Sequence, residues 1–134
     1  MYIEHSDGHR RMLQGKRVLV VEDEALIGML MEDGLSGAGA EVLGPACSVE
    51  EALGLIDRAA ADGGLSAAVL DINIDGEMVS PVADCLSALG VPFILATGYP
   101  EWCKRGQHMT APRLQKPFDG DTLAGVVRVL TAGR

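Results

Sequence analysis

Aromatic residues are scarce in this chain: two Phe, two Tyr and one Trp, 4% of 134 residues. Any core must therefore be built from Leu, Val, Ile, Ala and Met, which a hydrophobic content of 48% can supply. Cysteine is scarce too. Cys47, Cys85 and Cys103 are odd in number and lack C-x-x-C spacing, which argues against a disulfide framework or a zinc site. They read as reduced thiols, Cys47 and Cys85 as small apolar filler and Cys103 as an exposed residue of a polar stretch. No apolar run approaches the ~20 residues that a membrane span needs, and the N-terminus has no apolar segment of the secretory kind. Basic residues are outnumbered, 11 Lys and Arg against 19 Asp and Glu, for a net charge of −8. Nucleic-acid binding draws on a basic surface that displaces counterions, and no such surface is available here. The expectation is a cytoplasmic protein with neither nucleic acid nor membrane as partner.

The length fits one domain with one core. Residues 1–15 are polar and without period, and they include His5, His9, Arg10 and Arg11. They are expected to form a flexible arm, because the two histidines have no nearby third ligand. The ordered domain is expected over 16–134. Val18, Leu19, Val20 and Val21 form a continuous apolar run, the mark of a strand buried on both faces. A helix follows, with Leu26, Ile27, Leu30, Met31 and Leu35 at helical spacing on one face. Glu41–Gly44 reads as a second strand broken at Pro45. Ser48 and Glu51 have capping-box spacing ahead of a helix that buries Ala52, Leu53, Ile56 and Ala59. Ala67–Leu70 is a third strand ending in Asp71, and a short helix is expected at about 82–89. Val91–Ala96 is a fourth strand and Arg113–Gln115 a brief fifth. A last helix, capped by Asp119 or Asp121, carries Leu123, Val126, Val127 and Leu130 on one face. Strands alternating with helices predict an α/β fold, (βα)5, with a parallel sheet covered on both faces.

In a parallel sheet the carboxyl ends of all strands share one edge, and ligands bind there. The informative polar residues stand at those ends: Glu22 and Asp23 after the first strand, Asp71 after the third, Thr97 after the fourth, Lys116 after the fifth. Together they suit phosphoryl transfer. An Asp carboxylate can form an acyl phosphate. Hard Mg²⁺ takes oxygen ligands. A metal and an ammonium offset charge on the transferring oxygens. Asp71 is assigned as nucleophile and metal ligand, Asp23 as a direct metal ligand, and Glu22 as a ligand either directly or through water. Lys116 and Thr97 would grip the phosphoryl group. Each residue alone is an ordinary turn or helix-start residue; the coincidence at four strand ends carries the assignment.

These segments resemble the receiver domain of response regulators, over about 15–130. Val18–Glu24 resembles the family's first strand and acidic pair, Leu70–Asn73 its phosphoacceptor strand, Ala96–Gly98 its switch motif, and Gln115–Phe118 its Lys-Pro motif. The resemblance implies a doubly wound flavodoxin-like fold with strand order 2-1-3-4-5. It implies a third protein ligand to Mg²⁺ (or Mn²⁺) from the backbone carbonyl of Asn73, and a cis peptide before Pro117. Asn73 and Tyr99 fall where the family tunes the lifetime of the phosphoryl group. The implied donor is a histidine kinase or a His-containing phosphotransfer protein. The implied output is a protein contact or onward phosphotransfer, from a monomer or a weak homodimer. Such a domain catalyses only its own phosphorylation and dephosphorylation, so it is not an enzyme in the ordinary sense. The segment at 92–99 is similar to a FATGUY subgroup of single-domain receivers, with Leu95 in place of the motif's Phe. Arg113 replaces the family's usual aromatic switch residue. The short stretch from Thr97 to Lys116 predicts a short or irregular fourth helix, and Trp102 within it is a candidate interface anchor or core cover. No output segment follows Arg134, so the expectation is a stand-alone receiver.

Two other readings remain open on the residues. One is a pseudo-receiver that keeps the fold as an interaction module without phosphorylation. The other is a flavodoxin-like nucleotide binder, which needs a phosphate-cradling loop after the first strand. Glu22-Asp23-Glu24 stands there instead and would repel a phosphate that lacks a metal.

Overall fold

The computed structural model describes residues 12–74, 76–97, 112–116 and 118–132. Five parallel strands form the central sheet: β1 (Arg17–Val21), β2 (Glu41–Ala46), β3 (Ala67–Asp71), β4 (Phe93–Thr97) and β5 (Arg113–Gln115). Their order across the sheet is β2-β1-β3-β4-β5, the order implied by the resemblance. The helices are α1 (Ala25–Gly37), α2 (Val49–Ala60), α3 (Ser80–Ala88) and α4 (Gly120–Thr131). The expected helix between β4 and β5 lies outside the described residues, as do Tyr99, Trp102, Cys103 and Pro117 with its peptide bond.

The strands are apolar on both faces because helices cover both faces. Alternate residues point to opposite sides. Leu19, Val21, Leu70 and Phe93 join Ile56 of α2 and Leu86 of α3 in one core layer. Val18, Val20, Val69 and Ile94 join Met31 and Leu35 of α1 and Leu123 and Val127 of α4 in the other. Two helix starts are fixed by local chemistry. Ser48 Oγ accepts the backbone N–H of Glu51 at 3.1 Å, while Glu51 Oε1 accepts that of Cys47 at 2.9 Å. Asp119, one of the two expected caps, accepts the N–H of Thr122 at 2.7 Å and starts α4. That hydrogen bond holds the Asp119 carboxyl below the usual carboxylate range.

Several sequence expectations are corrected. Leu13, assigned to the arm, is fully buried in the second core layer, and its N–H donates to Ala38 O at 2.8 Å; residues 1–11 lie outside the described residues. The buried stripe of α1 is Gly28, Met31 and Leu35, whereas Leu26 and Leu30 face solvent at 70% and 55% exposure. The cause is close packing on α1 that only glycine admits: a Cβ at Gly28 would stand 3.0 Å from Pro45 Cγ, and one at Gly34 would stand 2.5 Å from Gly120 Cα. Strand β2 does not break at Pro45. It runs on to Ala46 through an irregularity in its register with β1, which Gly44 permits by adopting φ +100. Cys47 is exposed rather than filler, because it stands in the turn just ahead of α2; Cys85 is half-buried. A two-residue hairpin, Asn73–Ile74 against Glu77–Met78, follows β3 and was not anticipated. Helix α3 begins at Ser80, about a turn fraction earlier than expected, with Pro81 in its first turn, where a missing N–H costs nothing.

Candidate functional site

The carboxyl ends of β1, β3, β4 and β5 meet at one edge, as parallel pairing requires. Asp71 closes β3 opposite Ala96, and Thr97 closes β4. Lys116 follows β5 and is tied to β4 by its own N–H, which donates to Thr97 O at 2.7 Å. Glu22 extends β1 by one rung: its N–H donates to Ala46 O at 2.9 Å. That rung turns the Glu22 side chain inward, where it is 1% exposed. Asp23, the next residue, has left the ladder and is exposed.

Glu22, Asp23 and Asp71 each offer a carboxylate oxygen within 4.8 Å of the others. The Lys116 ammonium lies 2.9 Å from Glu22 Oε1 and 3.2 Å from Asp71 Oδ2, and it donates a hydrogen bond to Asp71. The structure thus joins four of the expected site residues directly. Thr97 is buried at the same edge and holds Lys116 through its carbonyl. Asn73 stands in the hairpin two residues past Asp71.

Electrostatics follow from burial. Desolvation raises the Glu22 carboxyl above its ordinary pKa, with the Asp71 charge adding to the rise and Lys116 and the Glu24 N–H opposing it. Burial opposes the charge on Lys116, but Glu22 and Asp71 together outweigh it and raise its pKa. Among the described residues, three carboxylates lie close together and the Lys116 ammonium touches two of them, Glu22 and Asp71. Glu22 Oε1 is buried and, although the ammonium is close, receives no well-directed hydrogen bond. Hard oxygen donors, a close cluster and an under-satisfied buried carboxylate oxygen suit a hard divalent cation. Sequence reasoning found these residues. It missed the inward turn of Glu22, which keeps its backbone bond to Ala46 where the register of β2 with β1 is irregular.

No family profile matches the sequence. The phyllosphere-induced regulator PhyR of Methylorubrum extorquens is 33% identical over 113 residues, 82% of this chain and 41% of that protein. The chain therefore spans less than half the length of that curated relative. SdrG from Sphingomonas melonis Fr1 matches with a TM-score of 0.69 and 36% identity, covering 88% of this chain and 98% of SdrG. The BeF3-activated conformation of SdrG gives a TM-score of 0.71 and 38% identity, with 87% and 96% covered. The response regulator PhyR from Brucella abortus gives a TM-score of 0.73 at 27% identity, covering 96% of this chain and 52% of that one.

Proposed function

The chain belongs to the receiver-domain family of response regulators, and from that premise we propose that it accepts a phosphoryl group on Asp71 in a Mg²⁺-dependent reaction. The arrangement that carries the reading is the Lys116 ammonium set between Glu22 and Asp71, at 2.9 and 3.2 Å, beside a cluster of three carboxylates. An incoming phosphoryl group brings further negative charge to this cluster of carboxylates. Glu22, Asp23 and Asp71 would hold a divalent cation, which would supply positive charge beside the transferring oxygens. The backbone carbonyl of Asn73 is the fourth candidate ligand.

The chain's own residues do the rest. An Asp71 carboxylate oxygen forms the new O–P bond as the N–P bond of a phosphohistidine donor breaks, and the departing imidazole takes up a proton from solvent. Lys116, already hydrogen-bonded to Asp71, shifts its ammonium to a phosphoryl oxygen. The Thr97 hydroxyl donates to another. This is self-modification with a protein donor and not turnover of a free substrate. The donor is a histidine kinase or His-containing phosphotransfer protein. The output is a protein contact or onward transfer, biased by one local charge event. Among the described residues no helix is long and apolar enough to cross a membrane.

The test is intact mass after incubation with Mg²⁺ and a small phosphodonor, with Asp71→Asn in parallel. One added phosphoryl group that needs both Asp71 and Mg²⁺ supports the reading. A folded protein that gains no mass and also fails to bind beryllofluoride would leave the fold standing and remove the phosphoacceptor role.

A further inference from the structure

The reach of Lys116 to the acidic cluster needs a physical cause, because its side chain is not packed tightly on the α1 side. A small apolar cavity of about 110 Å³ lies there, lined by Ile27, Leu30, Met31, Phe118, Gly120 and Lys116 itself. Lys116 thus borders open space on one side. The two carboxylates attract the ammonium, and backbone anchors set the position from which the side chain reaches them. One anchor is the hydrogen bond from Lys116 N–H to Thr97 O at 2.7 Å. The other lies four residues on, where α4 begins. Gly120, its first residue, presses its backbone against Gly34 of α1. A Cβ at Gly34 would stand 2.5 Å from Gly120 Cα, 2.8 Å from its O and 2.9 Å from its C; a Cβ at Gly120 would stand 2.8 Å from Gly34 Cα. The obstructing atoms are backbone, so no rotamer change relieves them. The start of α4 would have to move by the better part of an ångström to restore ordinary van der Waals contact at about 3.5 Å.

We propose that the Gly34–Gly120 contact between α1 and α4 is a positioning element for Lys116, fixing the start of α4 four residues beyond it so that the ammonium meets Glu22 and Asp71. The proposal rests on the phosphoacceptor reading for its functional consequence. Neither glycine touches the reacting atoms; both act through Lys116. Other glycines in the same helices provide controls. A Cβ at Gly37 in α1 or at Gly125 in α4 meets nothing within 4 Å.

The experiment measures the rate of phosphorylation by a small phosphodonor with Mg²⁺ in Gly34→Ala, Gly120→Ala, Gly37→Ala and Gly125→Ala, each also made in a Lys116→Ala background. An ångström-scale misplacement can slow a positioned reaction by about 10²-fold, so Gly34→Ala and Gly120→Ala are expected to lose roughly 10- to 100-fold while the control variants stay within about twofold. In the Lys116→Ala background the two glycine variants are expected to cost nothing more, because the group they position is gone. A merely structural role would slow both backgrounds equally and would overturn the proposal, as would full activity in a folded Gly34→Ala protein. The ¹³Cε resonance of Lys116, identified by its loss in Lys116→Ala, provides a second readout that does not depend on phosphorylation. It is expected to move in Gly120→Ala and to stay in place in Gly125→Ala; an unmoved resonance refutes the positioning claim. If wild type takes up no phosphoryl group, the phosphoacceptor reading fails, and the resonance alone still decides the contact. Should Gly34→Ala not fold, Gly120→Ala serves alone.

Discussion

Replacing Lys116 by methionine keeps the length and much of the apolar stem but removes the ammonium from the acidic site. In the folded protein that ammonium lies 2.9 Å from Glu22 Oε1 and 3.2 Å from Asp71 Oδ2. The Glu22 side chain has no solvent exposure and the Lys116 side chain has 16%. Deleting one partner of a buried ion pair costs about 3–5 kcal/mol, because the remaining charge stays desolvated. The residual exposure of Lys116 lets water return, which places Lys116→Met near the low end, about 3 kcal/mol at neutral pH without Mg²⁺. The pH dependence has a definite sign. Burial already raises the Glu22 carboxyl, and Lys116 is what opposes the rise. Without the lysine the carboxyl rises further. A carboxyl whose folded pKa is raised favours the folded state when protonated. Its penalty is absent below the ordinary carboxyl value of 4.5 and grows as pH climbs through the raised value. The deficit of Lys116→Met is therefore expected to be largest at about pH 8 and to shrink toward about pH 5. Urea unfolding at three pH values measures it. Pairing the change with Glu22→Gln removes the stranded charge and is expected to recover most of the loss, since replacing both partners is often near neutral. A deficit under about 1 kcal/mol, or one independent of pH, would refute the account of Glu22 as a buried carboxylate held ionised by Lys116.

Three further outcomes follow from the same geometry. Mg²⁺ at a hundredfold excess over its Kd is expected to stabilise the protein by about 2.7 kcal/mol, and Asp23→Asn, which removes one of three clustered carboxylates, is expected to lose most of that gain in thermal melts. Gly44→Ala places a Cβ 2.5 Å from Val20 O at a φ of +100, so a loss of at least about 2 kcal/mol is expected in urea unfolding. Gly54 lies mid-helix in α2, where an added Cβ meets nothing within 4 Å; Gly54→Ala is expected to stabilise by about 0.5–1 kcal/mol through helix propensity, read as a higher denaturation midpoint with unchanged slope.

The sheet was legible because both-face burial writes itself as continuous apolar runs, and β1, β3 and β4 each carry one. The last helix and α2 were legible from period and cap residues. Helix α1 misled for an identifiable reason. Leu26 and Leu30 supply helical periodicity, but Pro45 and the start of α4 crowd the buried side so closely that glycine occupies it. Hydrophobic spacing cannot register a face on which Gly28 stands inward beside Met31 and Leu35. The extension of β2 through Pro45 was hidden because proline ordinarily ends or edges a strand, and β2 is an edge strand. Leu13 was hidden because Met12 and Leu13, two adjacent apolar residues after a polar run, display no period.

The site shows what topology can and cannot carry. Parallel strand ends share an edge, so Glu22, Asp23, Asp71, Thr97 and Lys116 could be gathered from the sequence alone. What could not be read is that adjacent acids part company. Glu22 keeps a ladder hydrogen bond to Ala46 and is buried, while Asp23 has left the ladder and faces solvent. An exposed carboxylate meets a hydrated cation without shedding much water of its own. A buried one contributes charge from beneath, already partly balanced by Lys116. The two acids thus differ in the work their surroundings let them do, and the hydrogen bond that keeps Glu22 on the ladder reaches Ala46 across the irregular register between β1 and β2. Gly44 makes that register possible by its positive φ, which ties the electrostatics of the site to a residue that carries no charge and touches none of the reacting groups.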